Sequence, residues 1–533
     1  MEPSCRGESR FRRNPAARVR AFAADAGGTL VVWVLFLFVG ILLAVGLGID
    51  TYRTETLRSH MQNTADRAIL AAADLEQQRD TESVVRDYFD RSGLPGDRVQ
   101  ISTTEKPNEK VVSAALRADL DTRFIDLLGI DTLHAPAGGT AVESLTDVEI
   151  SLVLDNSGSM GWNGDFRLNL LKPAAKEFID TVVRPGPNGG PSTVSVSLVP
   201  FSTQVNAGPV LGGALQLTGE HDYSQCVEFA PDSYTEKAVA PAETLRRAGH
   251  FDISTWDAPV DTFGVICPFD DSRHITAWSQ DKTELKAQID AMWAGGNTSI
   301  DIAAKWGAAL LDPAMRPALD TLVADGAVPG TLSGRPYDYG RANTLKVLVV
   351  MSDGQNTDQY RLEDAYAAGA APVWIDPATG IVSYFDAGRG EYFAFADADL
   401  GATPGGAWQA APAGGADAVQ LDWPEVWNRW STRYFARYVK AEALGGSWGT
   451  YHGAFYDSVN PTEKNLRTRE ICQAARAAGA IVYSIGMDTY GQGDATLEDC
   501  AGDSLRFFDV RAEDVGAAFS SIARQINQLR LTN

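Results

Sequence analysis

Cations are in short supply in this 533-residue chain: 46 Lys and Arg stand against 69 Asp and Glu, a formal net charge of -23. A surface of that sign repels phosphate backbones, which argues against nucleic acid as a partner. It favours divalent cations and basic partners, and it also serves plain solubility. Histidine is scarce too, six in all and scattered, and none of the cysteine spacings makes a zinc site. The signatures of common enzyme chemistry are missing: no P-loop, no G-x-S-x-G, no H-E-x-x-H and no dinucleotide glycine pattern. A dispersed set of Asp and Glu is the enzyme reading that survives, and binding is preferred over it. No internal repeat is visible. Hydrophobic content of 44% and charged content of 22% exclude wholesale disorder. At roughly 100–200 residues per domain, the length allows about two to four folded units.

What is present begins with one long hydrophobic run. Residues 28–49 (GTLVVWVLFLFVGILLAVGLGI) carry no charge. At ~1.5 Å per residue such a helix spans a ~30 Å hydrocarbon core. A cleaved signal peptide would have a shorter apolar region, about 7–15 residues, and a small-residue cleavage site. This run exits instead into Asp50-Thr51-Tyr52, so a retained anchor is expected. Arg6, Arg10, Arg12, Arg13, Arg18 and Arg20 precede it, whereas Arg53 and Arg58 after it are interleaved with Asp50 and Glu55. The positive-inside rule then places the N-terminus in the cytoplasm and everything after Asp50 outside. Cys5 falls on the reducing side. Cys226, Cys267, Cys472 and Cys500 fall beyond the membrane, where two disulfides are expected. Sequence proximity favours Cys226–Cys267 and Cys472–Cys500 among the three connectivities.

The expected organisation is a basic tail (1–27), the membrane helix (28–49), a stalk with a small β module (50–146), and an α/β domain (147–533). Residues 50–91 read as a continuing helix with Leu57, Met61, Ala65, Ala68, Ile69 and Ala72 on one stripe. A hairpin follows around Lys106-Pro107-Asn108-Glu109, then a short helical piece near Phe124, then a Pro- and Gly-containing stretch at 135–139 that reads as a lead into the main domain. Beyond Asp147, apolar strands at 148–154, 194–201, 345–351, 481–485 and 505–508 alternate with helical patterns. That predicts a mostly parallel sheet with helices on both faces. Pro173 is expected to kink the first of these helices unless it lies in the first turn. Two stretches, about 203–281 and 355–462, lack clear periodicity and read as long insertions. Residues 402–416 within the second read as exposed, flexible loop.

The chemistry concentrates on three loops. Asp155-Asn156-Ser157-Gly158-Ser159 leaves the carboxyl end of an apolar strand, where open α/β sheets bind ligands. One carboxylate and two hydroxyls suit a hard cation such as Mg²⁺, although a capped helix start would explain the same residues. Gly295-Gly296-Asn297-Thr298-Ser299 adds the Thr298 hydroxyl ahead of a helix. Ser352-Asp353-Gly354 adds a second carboxylate directly after a strand. Each alone could be an ordinary cap or turn; the three together point to a metal site.

Those segments, DNSGSM, GGNTS and VVMSDG, resemble the metal-ion-dependent adhesion site of von Willebrand factor A (VWA) domains. The resemblance covers 147–201, 282–353 and 464–530. It implies a Rossmann-like fold and direct coordination of Mg²⁺ (or Ca²⁺ or Mn²⁺) by Ser157, Ser159 and Thr298, with Asp155 and Asp353 binding directly or through water. In that family a protein partner's acidic side chain fills the open metal position, so the implied function is binding. The N-terminal flanks (Gly27-Gly28-Thr29, Gly48-Ile49-Asp50 and Met61 through Ala73) resemble TadG-like Flp pilus assembly proteins. So do Thr298 to Gly307, Ile471-Cys472 to Ile485, Leu497 to Ala501 and Leu529 to Thr532. That resemblance implies a single-pass protein of the bacterial inner membrane, its bulk periplasmic, in a tight-adherence system. Val32 and Trp33 stand where a processed prepilin would carry Glu. The alternatives weighed are a surface adhesin for a host or matrix protein, a hydrolase of unrecognised type, and an AAA-partnered VWA subunit, which the membrane run disfavours.

Overall fold

The computed structural model describes residues 15–24, 29–75, 77–106, 109–144, 146–186, 192–260, 264–489 and 491–532. The chain divides into two compact units, 1–144 and 145–533. Most of the basic tail, including Cys5, lies outside the described residues; within it Pro15–Ala23 is helical.

The first unit is built on helix α1, Thr29–Ala73. Its N-terminal portion is the apolar run, long and apolar enough to cross a membrane and only 6% buried. Among the described residues most side chains of that run are exposed, Leu30 to Val39 above all. Past Asp50 the helix becomes one-sided, and Met61, Ala65, Ala68, Ile69 and Ala72 are buried. They pack on Val84, Val85 and Phe89 of helix α2 (Thr81–Arg91) and on Val112 and Ala114 of a three-stranded antiparallel sheet. A continuous helix over 50–91 is not what forms. The helix stops at Ala73 and restarts at Thr81, where the Asp80 carboxylate accepts the Ser83 N–H (2.9 Å) and caps the second helix.

The sheet comprises β1 (Gln100–Lys106), β2 (Glu109–Asp121) and β3 (Thr132–Ser144), in that order. The hairpin is present, with its turn residues 107 and 108 outside the described residues. The stretch at 135–139, expected as a connector, is instead the middle of β3. Two features reconcile its residues with a strand. β3 is an edge, where the N–H that Pro136 lacks need not join a ladder. A Cβ at Gly138 would lie 2.5 Å from the Ala114 carbonyl oxygen, so the close approach of β2 and β3 there requires glycine.

The second unit is a mixed α/β fold around a six-stranded sheet. Its strands are β4 (Asp147–Asp155), β5 (Val194–Phe201), β6 (Thr276–Ser279), β7 (Thr344–Ser352), β8 (Ile481–Met487) and β9 (Phe507–Val510), in the order β9-β8-β7-β4-β5-β6. All neighbours are parallel except β6, which runs antiparallel to β5 at the edge. β4 and β5 are buried along their whole length, including Glu149, Ser151, Ser195 and Ser197 on the positions that alternate with their apolar residues. On one face Leu152 and Leu154 pack with Leu171 and Phe178 of helix α3 (Trp162–Val182) and Phe519 of the closing helix Val515–Thr532. On the other, Val153 packs with Ile302 and Trp306 of α5 (Ile300–Ala309), which follows α4 (Lys282–Ala291), and with Ile471 of α6 (Pro461–Ala478). Truncating one such buried Phe or Leu costs about 2–5 kcal/mol.

Pro173 does not break α3. The non-helical residues are Asn163, Gly164 and Asp165, all at positive φ, near its start. Asn169, whose carbonyl loses its helical partner to Pro173, lies on an exposed position where water substitutes. Helices Arg316–Ala324 and Gln492–Ala501 were not anticipated.

The described residues of the two aperiodic stretches carry structure of their own. The second contains a five-stranded antiparallel sheet, and Gly406–Gln409, expected as loop, is one of its edge strands. Both stretches feed one aromatic cluster, in which Phe251 and Ile266 of the first pack with Trp427, Phe435 and Phe455 of the second. Cys226–Cys267 and Cys472–Cys500 are both disulfide-bonded.

Candidate functional site

β4 and β7 are neighbours and parallel, so their carboxyl ends deliver Asp155 and Asp353 to the same edge of the sheet. The loop after β4 is folded back on itself: the Ser157 N–H donates to Asp155 Oδ1 (2.7 Å), and the Ser157 and Ser159 hydroxyls lie 3.2 Å apart. Ser159 Oγ then donates to Asp353 Oδ1 at 2.6 Å, and Ser352 Oγ donates to Asp155 Oδ2 at 2.6 Å. The two carboxylates are thereby cross-connected through hydroxyls contributed by each other's loop.

The third loop is docked by backbone. The Gly158 N–H donates to the Gly296 carbonyl (2.9 Å), and the Gly295 N–H to that of Asn156 (3.0 Å). A Cβ on Gly158 would sit 3.1 Å from the Gly296 oxygen, and Gly296 itself has φ +85°. Bulk at either position would push the loops apart. Thr298 donates its N–H to Thr357 Oγ1 (2.8 Å), and its carbonyl accepts from the Thr357 N–H (3.1 Å) and from Lys464 Nζ (2.8 Å). With its backbone so held, Thr298 lines a cleft of about 570 Å³ together with Ser159, Asp353, Thr357, Arg167 and Trp162. All five expected residues thus gather at one place: Ser159, Thr298 and Asp353 on the cleft wall, Asp155 and Ser157 directly behind Ser159.

The electrostatics fit a cation. Asp155 is fully buried, and burial followed by the nearby Asp353 charge pushes its carboxyl up to about 7. Burial also raises Asp353, against the lowering pull of the Ser159 hydroxyl and Arg167. Asp155 makes no ion pair within 4 Å among the described residues; the buried Arg273 feels its charge but hydrogen-bonds to Ser202 and to the Gly295 and Trp293 carbonyls instead. The described residues contain no cluster of three or more His, Cys, Asp or Glu that could hold a metal. Any ion here would rest on two carboxylates and three hydroxyls, an all-oxygen set of low charge that suits Mg²⁺ with several retained waters.

Several contributors were not foreseen. Arg167 donates to Asp353 Oδ2 (2.8 Å) and to Asp488 Oδ2 (3.2 Å), bridging the loops after β7 and β8. Ser352 was quoted in its motif but not as the group that orients Asp155. Lys464 is wholly buried and donates to the Thr298 and Thr357 carbonyls and to Ser299 Oγ, 3.9 Å from buried Asp301. Ser352 had a signal, its place beside Asp353. Arg167, on the helix that follows the first loop, and Lys464, on a helix remote in sequence, have nothing in their local spacing that distinguishes them from solvated charges.

Comparison with known proteins bears on the first unit most directly: residues 27–75 match the Flp pilus-assembly TadE/G-like family model. No curated protein matches the chain. Among solved structures, the vWF domain of the type V pili tip protein Mfa5 from Porphyromonas gingivalis aligns with 72% of this chain and 96% of its own, at 16% identity and TM-score 0.31. Pilus adhesin SpaC from Lactobacillus rhamnosus GG aligns over 80% of this chain and 34% of its own, at 13% identity and TM-score 0.31. Proximal thread matrix protein 1 from the mussel byssus, with a zinc-occupied MIDAS motif, aligns over 71% and 47%, at 11% identity and TM-score 0.26. Likenesses this distant transfer no property to this chain.

Proposed function

We propose that this chain, whose residues 27–75 are TadE/G-like, is a single-pass component of a bacterial tight-adherence (Flp pilus) system. In this reading residues 28–49 anchor it in the inner membrane with the N-terminus cytoplasmic. Residues 50–146 form the stalk module, and residues 147–533 form a periplasmic VWA domain with insertions at about 203–281 and 355–462. The domain binds a protein partner, most simply another pilus component, through Mg²⁺ (or Ca²⁺ or Mn²⁺) held by Asp155, Ser157, Ser159, Thr298 and Asp353.

One observation carries the reading: two buried carboxylates from adjacent strand ends are tied together through Ser159 and Ser352, and Asp353, Ser159 and Thr298 of the third loop line one open cleft. A bound divalent ion would supply positive charge able to take one more oxygen ligand. The protein's own residues do the remaining work. Ser352 and the Ser157 N–H fix the Asp155 carboxylate, Arg167 holds Asp353 from the side, and the Thr357 and Lys464 bonds set the depth of Thr298. An acidic side chain entering the cleft is then recognised by charge and by position. In this reading the serine and threonine hydroxyls serve as ligands, and the chemistry is binding rather than turnover.

The test is a pull-down from envelope extracts with the full chain, in Mg²⁺ and in EDTA, beside Asp155→Ala. Recovery of a partner only by the unmodified chain in Mg²⁺ is expected. Equal recovery under EDTA and by the variant would defeat the metal-bridge mechanism.

A further inference from the structure

The first residue after the apolar run is not solvated. Asp50 is 1% exposed. Its Oδ2 accepts the backbone N–H groups of Arg123 (3.1 Å), Phe124 (2.8 Å) and Ile125 (3.2 Å), and Arg53 reaches Oδ1 at 3.3 Å. Those amides open the single-turn helix Ile125–Leu128 in the connection between β2 and β3, so Asp50 closes that turn onto α1 from outside. One helical turn earlier, Gly46 is buried beneath Phe124, and a Cβ added there would lie 2.5 Å from Phe124 Cβ. Only glycine admits Phe124 at that level. At ~1.5 Å rise per residue, Gly46 sits about 6 Å further into the apolar run than Asp50.

The connection is therefore clamped alongside the end of the run, not above it. What it presents outward is apolar: Phe124 is 41% exposed, Leu127 78%, Leu128 60% and Ile130 46%. Ile125, at 3%, is the one that turns inward. Exposed aliphatic side chains gathered at one loop tip are uncommon on a surface that faces water. These sit beside Leu47 and Ile49 of the run, which are themselves half-exposed and face whatever medium surrounds the helix. Arg123, Asp126 and Asp131 are the charged groups of the loop, and all are exposed, which holds the contact at the headgroup boundary and outer acyl region.

We infer that the β2–β3 connection, Phe124 to Ile130, inserts into the lipid interface as a second membrane contact, positioned by Asp50 and Gly46. The inference rests on the reading of residues 28–49 as a membrane span. Its consequence is mechanical. The small β module is held against the bilayer at two points, so it cannot swivel freely about its helix.

The test uses the full chain in a Cys5→Ser background, with the disulfides intact. It is reconstituted into phosphatidylethanolamine–phosphatidylglycerol vesicles containing lipids brominated near the headgroup end of the acyl chain. An environment-sensitive fluorophore is attached at Leu128→Cys, at Leu35→Cys within the run, or at Val142→Cys, an exposed apolar position near the opposite end of β3. Quenching at Leu128 and at Leu35, with none at Val142, is expected, together with a blue shift at Leu128 on reconstitution. Adding Asp50→Ala to the Leu128→Cys chain should lessen its quenching while Leu35 is unaffected. Quenching at Leu35 but not at Leu128 overturns the loop contact alone. Absence of quenching at Leu35 overturns the membrane span and the loop contact with it. Equal quenching at Val142 overturns the specific contact in favour of general adhesion of the module to lipid.

Discussion

Replacing Asp155 by Asn should stabilise the metal-free protein while abolishing its response to Mg²⁺. The carboxyl, ordinarily near 3.8, is displaced to about 7 in the folded chain by burial and by Asp353. A raised folded value means that the folded state holds the proton that the unfolded state releases. The group's contribution is thus intact below about pH 4 and is lost as pH rises toward 7. At 1.36 kcal/mol per unit, the full displacement is worth roughly 4 kcal/mol above neutrality. For a unit of about 400 residues that corresponds to a midpoint shift of roughly 5 °C. Asn retains the volume and an oxygen for the Ser157 N–H, and Ser352 can turn to donate to the Gly354 carbonyl, 3.4 Å away. The assay is tryptophan-monitored thermal melting of the full chain in detergent with EDTA, at about pH 5 and about pH 8. In EDTA Asp155→Asn should melt above the wild type, by more at the higher pH than at the lower, a comparison in which groups common to both chains cancel, and Mg²⁺ should raise only the wild type. A variant that melts at or below the wild type in EDTA at the higher pH, or a wild type that ignores Mg²⁺, would refute the reasoning.

Lys464→Met should be strongly destabilising, by about 3–5 kcal/mol, because it strands a buried Asp301 carboxylate and frees three acceptors. Thermal melting should show part of that loss restored by adding Asp301→Asn. His250, buried beside His221, is held down to about 3 by desolvation first and by the neighbouring imidazole second. Because this folded value is lowered, the unfolded chain takes up the proton first, and stability falls as pH drops from about 6.5 toward 3, by up to roughly 5 kcal/mol. His250→Phe should melt with a shallower acid slope than the wild type between about pH 7 and pH 4, as followed by circular dichroism.

Much of the α/β framework is legible because its strands are buried on both faces. β7 carries a continuous apolar run from Val347 to Met351 and β4 one from Leu152 to Leu154, and such runs stand out in the sequence. The site loops are legible for a related reason: strand ends fix where Asp155 and Asp353 emerge. The aromatic sheet in residues 355–462 is not, since its core is shared with Phe251 and Ile266 from a stretch a hundred residues earlier. β3 was hidden by Pro136 and Gly138, which usually interrupt strands but here serve an edge and a close approach. Lys464 has the appearance of a surface lysine in a polar helix, and only the packing of α6 on α5 shows that it is buried. The family match to residues 27–75 covers the apolar segment that composition had already singled out.

The central claim is that Asp155, Ser157, Ser159, Thr298 and Asp353 form one divalent-cation site. Calorimetric titration of the full chain in detergent with Mg²⁺, beside Asp353→Ala and Thr298→Ala, tests it most directly. The account predicts one ion per wild-type chain, none detectable for Asp353→Ala, and weakened binding for Thr298→Ala. Undiminished binding by both variants, or no binding by the wild type, would contradict it.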